Sequence, residues 1–369
     1  LEHALLHVGI VDIFAFQRTI TMERYTIIAA EKKGSFTERL SSLCTKVGDY
    51  LRQEKQDGRQ LHYTKIFLSD AQNQYQRLVE STLYQDLLGE TPISVVEQAP
   101  VDGSKIALLM KTAEGEPDFL FHSLRLTEGE TKGMNSYTQT IMLFEKYLRM
   151  LKERNLRLDT HCVRTWIYVG DIDNNYAGVV KARNDIFNHY GLTIDTHFIA
   201  STGIGGSTQT RSACVAMDFL TFPNINEEDK TYLKALDYLS PTHEYGVAFE
   251  RGTMLKHNSR KSFFISGTAS IDKHGNVIYV GDVMRQANRL LENINALLKD
   301  GGATLADAKY FIIYLRDISD YAAIDGATEA TYATKVVVGE GVTGVGADPG
   351  GAVGIHEALS ERHAHAADT

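Results

Sequence analysis

Three segments of this chain share one pattern, and this repetition constrains the fold more than any single motif does. The segments are TKIFLSDAQNQY (64–75), TWIYVGDIDNNY (165–176) and FIIYLRDISDY (311–321). Each begins with β-branched and aromatic residues, which favour a strand, and continues with an Asp, a short polar stretch and a Tyr. Because an Asp before a polar stretch commonly caps a helix, each segment predicts a strand followed directly by a helix.

An amphipathic helix is predicted ahead of each of these strands. Apolar residues recur there at the three-, four- and seven-residue spacing of a buried helix face. In the three copies they are Leu40, Leu43, Val47 and Leu51; Ile141, Phe144, Leu148 and Leu151; and Ala287, Leu290, Leu291, Ile294, Leu297 and Leu298. Strand-like stretches follow the first two copies at 92–100, 105–111, 197–206 and 212–222. The pattern predicts units of β-β-α-β-α-β-β order and an α+β fold.

The repetition divides the chain into three predicted units with flanking segments. Because the period is far longer than that of a solenoid repeat, we interpret the copies as repeated domains. The predicted boundaries are 1–22 for an N-terminal extension outside the units, 23–115 for unit 1, 116–225 for unit 2, 226–325 for a linker and unit 3, and 326–369 for a divergent tail rich in Gly and Ala.

Composition argues against several classes of function. The 369 residues carry a net charge of -9, which gives no reason to expect a nucleic acid or a membrane surface as a partner. Cys44, Cys162 and Cys214 are too few and too far apart for a disulfide framework or a zinc site. We therefore expect buried thiols and a cytoplasmic protein. The Gly-rich stretches STGIGG and GVTGVGADPGG do not open a βαβ unit, and we predict neither a cofactor nor a metal.

The stretch FFISGTASIDKHGNVIYVGDV (263–283) predicts a hairpin with a turn of small residues. An apolar strand at 263–265 leads into Ser-Gly-Thr-Ala at 266–269, and a second strand is expected at 276–280. The Gly-Asp pair at 281–282 should then open the third amphipathic helix.

The predicted third unit resembles the YjgF/RidA (Rid) superfamily over its whole length. The hairpin, the Gly-Asp helix start, the helix sequence LLENINALL (290–298) and the strand end YLRDISDY (314–321) carry the resemblance. The stretches SPTHEYGVAFERG (240–252) and VRTWIYVGDID (163–173) are similar to the chorismatase branch, whose members hydrolyse the enolpyruvyl ether of chorismate. The resemblance extends over about residues 23–325.

The resemblance implies a monomer in which the three units are arranged as a pseudo-trimer. Rid proteins are homotrimers with a cleft at each subunit interface, and chorismatases resemble such a trimer folded from one chain. A small carboxylate would then be the substrate. Gly267, Thr268 and Ala269 would form the floor of one cleft, because small side chains let an anion approach backbone N–H groups. An ordinary tight hairpin is the alternative interpretation.

A carboxylate-binding cleft also needs an arginine fork. Arg251, which directly precedes the hairpin, is the first candidate, and Arg164 and Arg183 are the alternatives. His243 and Tyr245 could line the same cleft, since Tyr offers an amphipathic wall for a ring.

Residues 201–206 lie where Rid units carry a substrate-clamping loop. Thr202 and Gly203 stand there in place of the family's carboxylate-binding Arg, so the resemblance implies that unit 2 alone should not clamp a Rid substrate.

The end of the chain departs from the family. The resemblance implies a second helix and a closing strand with the sequence Glu-x-Glu, which carries the catalytic Glu. We expect neither element after residue 324, and Glu340 and Glu357 are the nearby carboxylates that could replace the lost acid. The stretch KVVV (335–338) has the composition to pair with the strand at 310–315. The third unit is therefore predicted to be incomplete or divergent.

Three functions remain open from the sequence. The first is a chorismatase-like hydrolase that acts on chorismate or a related enolpyruvyl carboxylate and releases pyruvate. The second is a Rid-type deaminase of imines and enamines. The third is a catalytically inactive binding protein with the same fold.

Overall fold

The computed structural model describes residues 23–257, 260–328 and 335–339, in which four β-sheets are packed with helices. The strands are β1 (Arg24–Ala29), β2 (Arg59–Leu68), β3 (Ile93–Glu97), β4 (Ala99–Pro100), β5 (Ile106–Glu114), β6 (Leu120–Leu124), β7 (Cys162–Val169), β8 (Ala200–Gly205), β9 (Val215–Thr221), β10 (Lys230–Leu233), β11 (Gly252–His257), β12 (Arg260–Ile265), β13 (Phe311–Leu315) and β14 (Lys335–Gly339). The α-helices are α1 (Phe36–Gln56), α2 (Ala71–Val79), α3 (Glu128–Thr131), α4 (Ser136–Glu153), α5 (Leu158–His161), α6 (Ile172–His189), α7 (Val283–Asp300) and α8 (Tyr321–Thr328). None of these helices is both long and apolar enough to cross a membrane.

The first two sheets have the same strand order. In the first, β5 lies between β1 and β2 and is antiparallel to both, while β3 pairs in parallel with β2. In the second, β9 lies between β6 and β7 in the same way, while β8 pairs in parallel with β7. Each parallel pair is connected through a helix, α2 or α6, as a parallel crossover requires. The mixed α+β class predicted from the sequence is confirmed.

The third repeated segment forms two sheets. One contains β10, β11 and β12, and the other contains β13, β14 and β4. Strand β14 pairs in parallel with β13, from the Phe311–Lys335 pair to the Leu315–Gly339 pair, which confirms the predicted partner of this strand. Among the residues that the structure describes, no strand lies between β12 and β13, the position that β5 and β9 occupy in the first two sheets.

Helix starts follow the predicted Asp residues. The carboxylate of Asp70 accepts the N–H of Asn73 at 3.2 Å, and that of Asp282 accepts the N–H of Arg285 at 3.0 Å. Asp171 occupies the N-cap position of α6 without such a bond. The predicted apolar faces are turned inward in the three helices that precede the repeated strands, α1, α4 and α7.

Three local predictions were wrong. Residues 276–280 form an isolated bridge between Ile271 and Val277 instead of a strand, and the positive φ of Tyr279, 64°, interrupts the extended chain. Helix α8 follows Asp317, as the third repeated segment predicts, but it continues to Thr328 although no second helix was expected after residue 324. Its Ile324 is buried against the apolar face of α7. The second segment lacks the predicted pair of strands before its long helix, since among the described residues β6 is the only strand between β5 and α4, whereas β11 and β12 both precede α7 in the third.

A buried ion pair joins the first sheet to the second. The ammonium of Lys65 on β2 lies 3.2 Å from the carboxylate of Asp218 on β9, and both side chains are fully buried. The same carboxylate accepts hydrogen bonds from Ser94 at 2.7 Å, from Tyr168 at 3.0 Å and from Arg125 at 3.0 Å. Burial lowers the pKa of Lys65 to about 8. Although burial opposes ionisation, Arg125 and Lys65 hold the pKa of Asp218 below its usual range.

Candidate functional site

A cavity of about 310 Å³ lies between the third repeated segment and the first two sheets. Strands β12 and β13 form two of its walls, and the apolar face of α7 forms a third through Leu290 and Ile294. The opposite wall is built largely from aromatic residues of the first two sheets, among them Tyr63 and Trp166. The cavity therefore lies where the sheet that contains β12 is separated from the sheet that contains β13.

Arg164, on β7, lines this cavity and is only 5% exposed. Its terminal nitrogens donate to the carbonyl of Thr165 at 3.2 Å and to the hydroxyl of Thr202. The guanidinium carbon lies 5.0 Å from the ring centroid of Trp166. No carboxylate of the described residues forms an ion pair with Arg164. Burial lowers its pKa to about 10, so the group is still cationic at neutral pH.

Tyrosine side chains surround the cavity next to this cation. The rings of Tyr25 and Tyr310 have centroids 4.9 Å apart, and the hydroxyl of Tyr63 interacts with the hydroxyls of both. Burial raises the pKa of each of these three groups, and Arg164 limits the rise for Tyr310. The three hydroxyls are therefore protonated at neutral pH and can donate hydrogen bonds into or around the cavity.

Among the described residues, three carboxylates line the cavity, and each is held by another protein group. Glu23 forms a 2.7 Å ion pair with Lys111, and Asp118 forms a 2.8 Å ion pair with Arg260. The carboxylate of Asp307 accepts the backbone N–H of Thr304, where its own turn begins, and this hydrogen bond is 2.7 Å long. Although burial favours protonation, Lys111 holds the pKa of Glu23 below its usual range. The Glu23 carboxyl is therefore ionised at neutral pH and is not poised to donate a proton.

The small-residue turn after β12 is docked on the second sheet. Gly267 and Thr268 line the cavity, as predicted for a cleft floor, whereas Ala269 is buried in the core next to it. The N–H of Gly267 donates to the carbonyl of Ser201 on β8 at 3.2 Å, and the hydroxyl of Ser266 accepts the N–H of Ser201 at 2.9 Å. The turn is thereby fixed to the strand that carries Thr202.

Thr202 and Gly203 also lie in the cavity wall, beside Arg164. A Cβ atom at Gly203 would lie 2.7 Å from the ring of Tyr176, so only Gly allows this ring to pack against β8. The Thr-Gly pair at this position therefore supports the cavity wall and provides the hydroxyl that Arg164 contacts.

Of the other predicted residues, Arg251, Arg183 and His243 do not belong to the lining of this cavity. The guanidinium carbons of Arg251 and Arg183 each lie 5.7 Å from the ring centroid of Phe249. Arg251 donates to the carbonyl of Ser240 at 3.0 Å and 3.2 Å, which fixes the loop before β11. His243 is exposed, and it lies with Tyr245 in a short 3₁₀ turn of that loop, Thr242–Tyr245.

Glu340 and Glu357, the predicted replacements for the catalytic acid, lie outside the described residues. One carboxyl that sequence reasoning missed is Glu250, because nothing in its local pattern indicates burial. Burial raises its pKa, and its carboxylate accepts the N–H of Phe198 at 2.8 Å. It does not belong to the lining of the cavity that holds Arg164.

Sequence reasoning also missed the aromatic residues around Arg164. Trp166, Tyr310 and Tyr314 appear in the sequence as ordinary strand residues, and the predicted strands give no signal for which cavity their side chains would line. The available signal concerned Trp166 alone, which alternates with the candidate Arg164 along β7.

Comparisons with known proteins agree with this architecture. Residues 253–339 match the family model described as Endoribonuclease L-PSP. A RutC family protein of Pyrococcus abyssi is 39% identical over 59 residues, which cover 16% of this chain and 46% of that protein. The match thus spans about half the length of this relative. A crystal structure of a chorismatase at 1.08 Å resolution is similar with a TM-score of 0.61 and 17% identity, covering 92% of this chain and 98% of the other.

The sheets and helices thus define a chain with a chorismatase-like fold. The resemblance to the Rid superfamily seen in the sequence is confirmed over residues 253–339, and the fold of the chain is similar to that of a chorismatase.

Proposed function

We propose that this protein is a chorismatase-like hydrolase that binds chorismate or a related enolpyruvyl carboxylate in the Arg164 cavity and releases pyruvate. One observation carries the proposal. A fully charged guanidinium, 5% exposed, faces a cavity and has no carboxylate partner among the described residues. Leaving a cation buried without an anion is costly, and a substrate carboxylate would supply the missing charge and accept two hydrogen bonds from the Arg fork.

The other walls suit the rest of such a substrate. The rings of Trp166, Tyr310 and Tyr314 provide apolar faces against which a flat six-membered ring could pack, with hydroxyls available for its polar substituents. Gly267 and Thr268 keep the opposite wall free of bulk. A small cyclic carboxylate therefore fits this cavity better than a nucleotide or a peptide does.

The predicted unit boundaries, 23–115, 116–225 and 226–325, enter the proposal as three units of a pseudo-threefold monomer. The identical strand order of the first two sheets supports this arrangement. The cavity would then be the cleft at which the third unit meets the other two. Light scattering after size-exclusion chromatography tests it: we expect a species near 41.1 kDa, whereas a stable species of three times that mass would contradict the proposal.

A catalytically inactive carboxylate-binding protein is the second candidate. It is favoured by the lining carboxylates, since Glu23 and Asp118 are both engaged in ion pairs and neither contacts Arg164. Such a protein would retain the arginine that binds a carboxylate and would lack a group that catalyses hydrolysis.

Pyruvate release from chorismate, followed through lactate dehydrogenase, separates these functions. The hydrolase proposal predicts release by the wild-type protein and its loss in R164M. The matched control is R157M, because Arg157 is an exposed arginine paired with Asp159. Ammonia release from iminopyruvate generated in the assay, without pyruvate release from chorismate, would instead identify a Rid-type deaminase. Binding without either product would identify the inactive binding protein.

A further inference from the structure

The proposed hydrolysis needs a proton donor near the substrate, and the described cavity offers hydroxyl groups at this place. Protonation of the terminal carbon of an enol ether is the step that makes its ether carbon electrophilic. The lining carboxylates are held in ion pairs or in a turn and do not contact Arg164. Tyr310, by contrast, lines the cavity close enough to Arg164 for the two side chains to interact electrostatically.

We propose that the Tyr310 hydroxyl is the general acid of this site and that Tyr63 positions it. The inference rests on the proposed function. The geometry that supports it is a cluster of three tyrosines that line the cavity. The rings of Tyr25 and Tyr310 have centroids 4.9 Å apart, and the Tyr63 hydroxyl interacts with the hydroxyls of both. Tyr63 itself is fixed, because its ring stacks on Phe121 with centroids 4.5 Å apart.

These tyrosines line the same cavity as two charged groups, Glu23 and Arg164. Arg164 affects Tyr310 more strongly than Glu23 does, whereas Glu23 is the leading charged neighbour of Tyr25. A carboxylate bound to Arg164 would bring the adjacent enol ether next to the Tyr310 hydroxyl, and the guanidinium would stabilise the phenolate that forms when the proton leaves.

The chemistry balances with water as the second reactant. The Tyr310 O–H proton moves to the terminal methylene carbon, and the π pair of the enol ether forms the new C–H bond. Water adds to the resulting cationic carbon and returns one proton to the Tyr310 phenolate. The hemiketal then breaks its C–O bond to the ring while its hydroxyl proton passes to the ring oxygen, which yields pyruvate and the ring alcohol.

Kinetics of Y310F and Y63F with chorismate test the assignment. In Y310F we expect kcat to fall by at least about 100-fold while KM stays within about threefold, because the ring and its packing remain and only the acid is lost. In Y63F we expect a smaller fall in kcat, about tenfold, again with KM unchanged. The control is Y190F, since Tyr190 is an exposed residue at the end of α6 that does not line the cavity.

The outcomes distinguish this inference from the proposed function. If wild-type protein binds chorismate but Y310F keeps more than about one third of the wild-type kcat, Tyr310 is not the acid and the hydrolase assignment stands. If wild-type protein binds the substrate and releases no pyruvate, the acid assignment is wrong and Arg164 remains a carboxylate site. If wild-type protein does not bind chorismate, the proposed function fails and the acid assignment fails with it. A matched loss of kcat and thermal stability in Y310F would also overturn it, since it would show a structural role.

Discussion

At the scale of single residues, burial determines the charge that several side chains carry inside this protein. His122, on β6, is 9% exposed, and its ring packs edge-on against Tyr147 with centroids 5.7 Å apart. Burial, with a smaller effect of Arg154, lowers its pKa to about 4. The imidazole is therefore neutral in the folded protein over a range in which an exposed His is protonated.

This burial predicts a loss of stability in mild acid. The unfolded chain takes up a proton near the ordinary His pKa of 6.5, whereas folded His122 does so only near 4, so stability falls as the pH drops between these values. From about pH 7 to about pH 5 the loss from this residue is about 2 kcal/mol. Urea unfolding of wild type and H122F at these two pH values measures the loss of stability. The control variant is H189F, because His189 is exposed. An equal pH dependence in wild type and H122F would refute the assignment.

The three candidate arginines show how far a sequence predicts which residue lines a cavity. Arg251, Arg164 and Arg183 were all recognisable as candidates, and position along the chain favoured Arg251 because it precedes the hairpin. The structure places Arg164 in the cavity instead, since β7 lies across from the hairpin turn in space although a hundred residues separate them. Local sequence does not contain the pairing of distant strands, and so it could not rank these three residues.

At the scale of elements, the second unit depends on close contact between two helices. Helix α6 crosses α4 at Gly178, where a Cβ atom would lie 2.9 Å from the backbone nitrogen of Tyr137 and would also meet the hydroxyl of Ser136. Backbone cannot move away as a flexible side chain can. The two helices approach this closely because Gly stands at the crossing point.

We therefore expect G178A to destabilise the protein. Overpacking should cost about 1–3 kcal/mol, from which the better helix propensity of Ala recovers at most about 1 kcal/mol. The matched control is G129A in α3, where a Cβ atom would meet nothing within 4 Å and where Ala should be neutral or mildly stabilising. Urea unfolding compares both variants with wild type. Stability of G178A equal to or above that of G129A would contradict the predicted close packing.

Some of the strands and helices could be predicted from local sequence, and others could not. Strands β2, β7 and β13 were predicted because β-branched and aromatic composition is a local property, and their helix caps follow from single Asp residues. The extent of helix α8 past residue 324 was missed because its stretch is short, and its Ile324 is buried by other elements, among them α7 and β13. The strand expected at 276–280 fails for a conformational reason, the positive φ at Tyr279, which the side chain does not indicate.

At the scale of the whole molecule, the buried Lys65–Asp218 pair holds the first two sheets together. Asp218 balances two cations, Lys65 and Arg125, so the two partners of the pair are not equivalent. If Asp218 is removed, both Lys65 and Arg125 lose this carboxylate. If Lys65 is removed, Asp218 is still paired with Arg125.

This asymmetry predicts graded losses of stability. D218L should cost about 3–5 kcal/mol, the usual cost of leaving a buried charge uncompensated, and K65M should cost clearly less. The double variant K65M/D218L should recover part of the loss of D218L, because one stranded cation is removed. Urea unfolding of the three variants gives the values. Equal losses for K65M and D218L would show that Arg125 does not share the carboxylate.

The central claim concerns the whole molecule as well: three distant parts of the chain build one cavity in which Arg164 binds a carboxylate. Isothermal titration calorimetry with a stable cyclic carboxylate, which lacks the enolpyruvyl ether and so cannot be hydrolysed, measures this directly. We predict saturable binding to the wild-type protein, unchanged binding to R157M, and affinity at least about tenfold weaker in R164M, since a charge-assisted hydrogen bond contributes about 1.5–3 kcal/mol. Equal affinity of R164M and wild type, with both variants folded, would contradict the account.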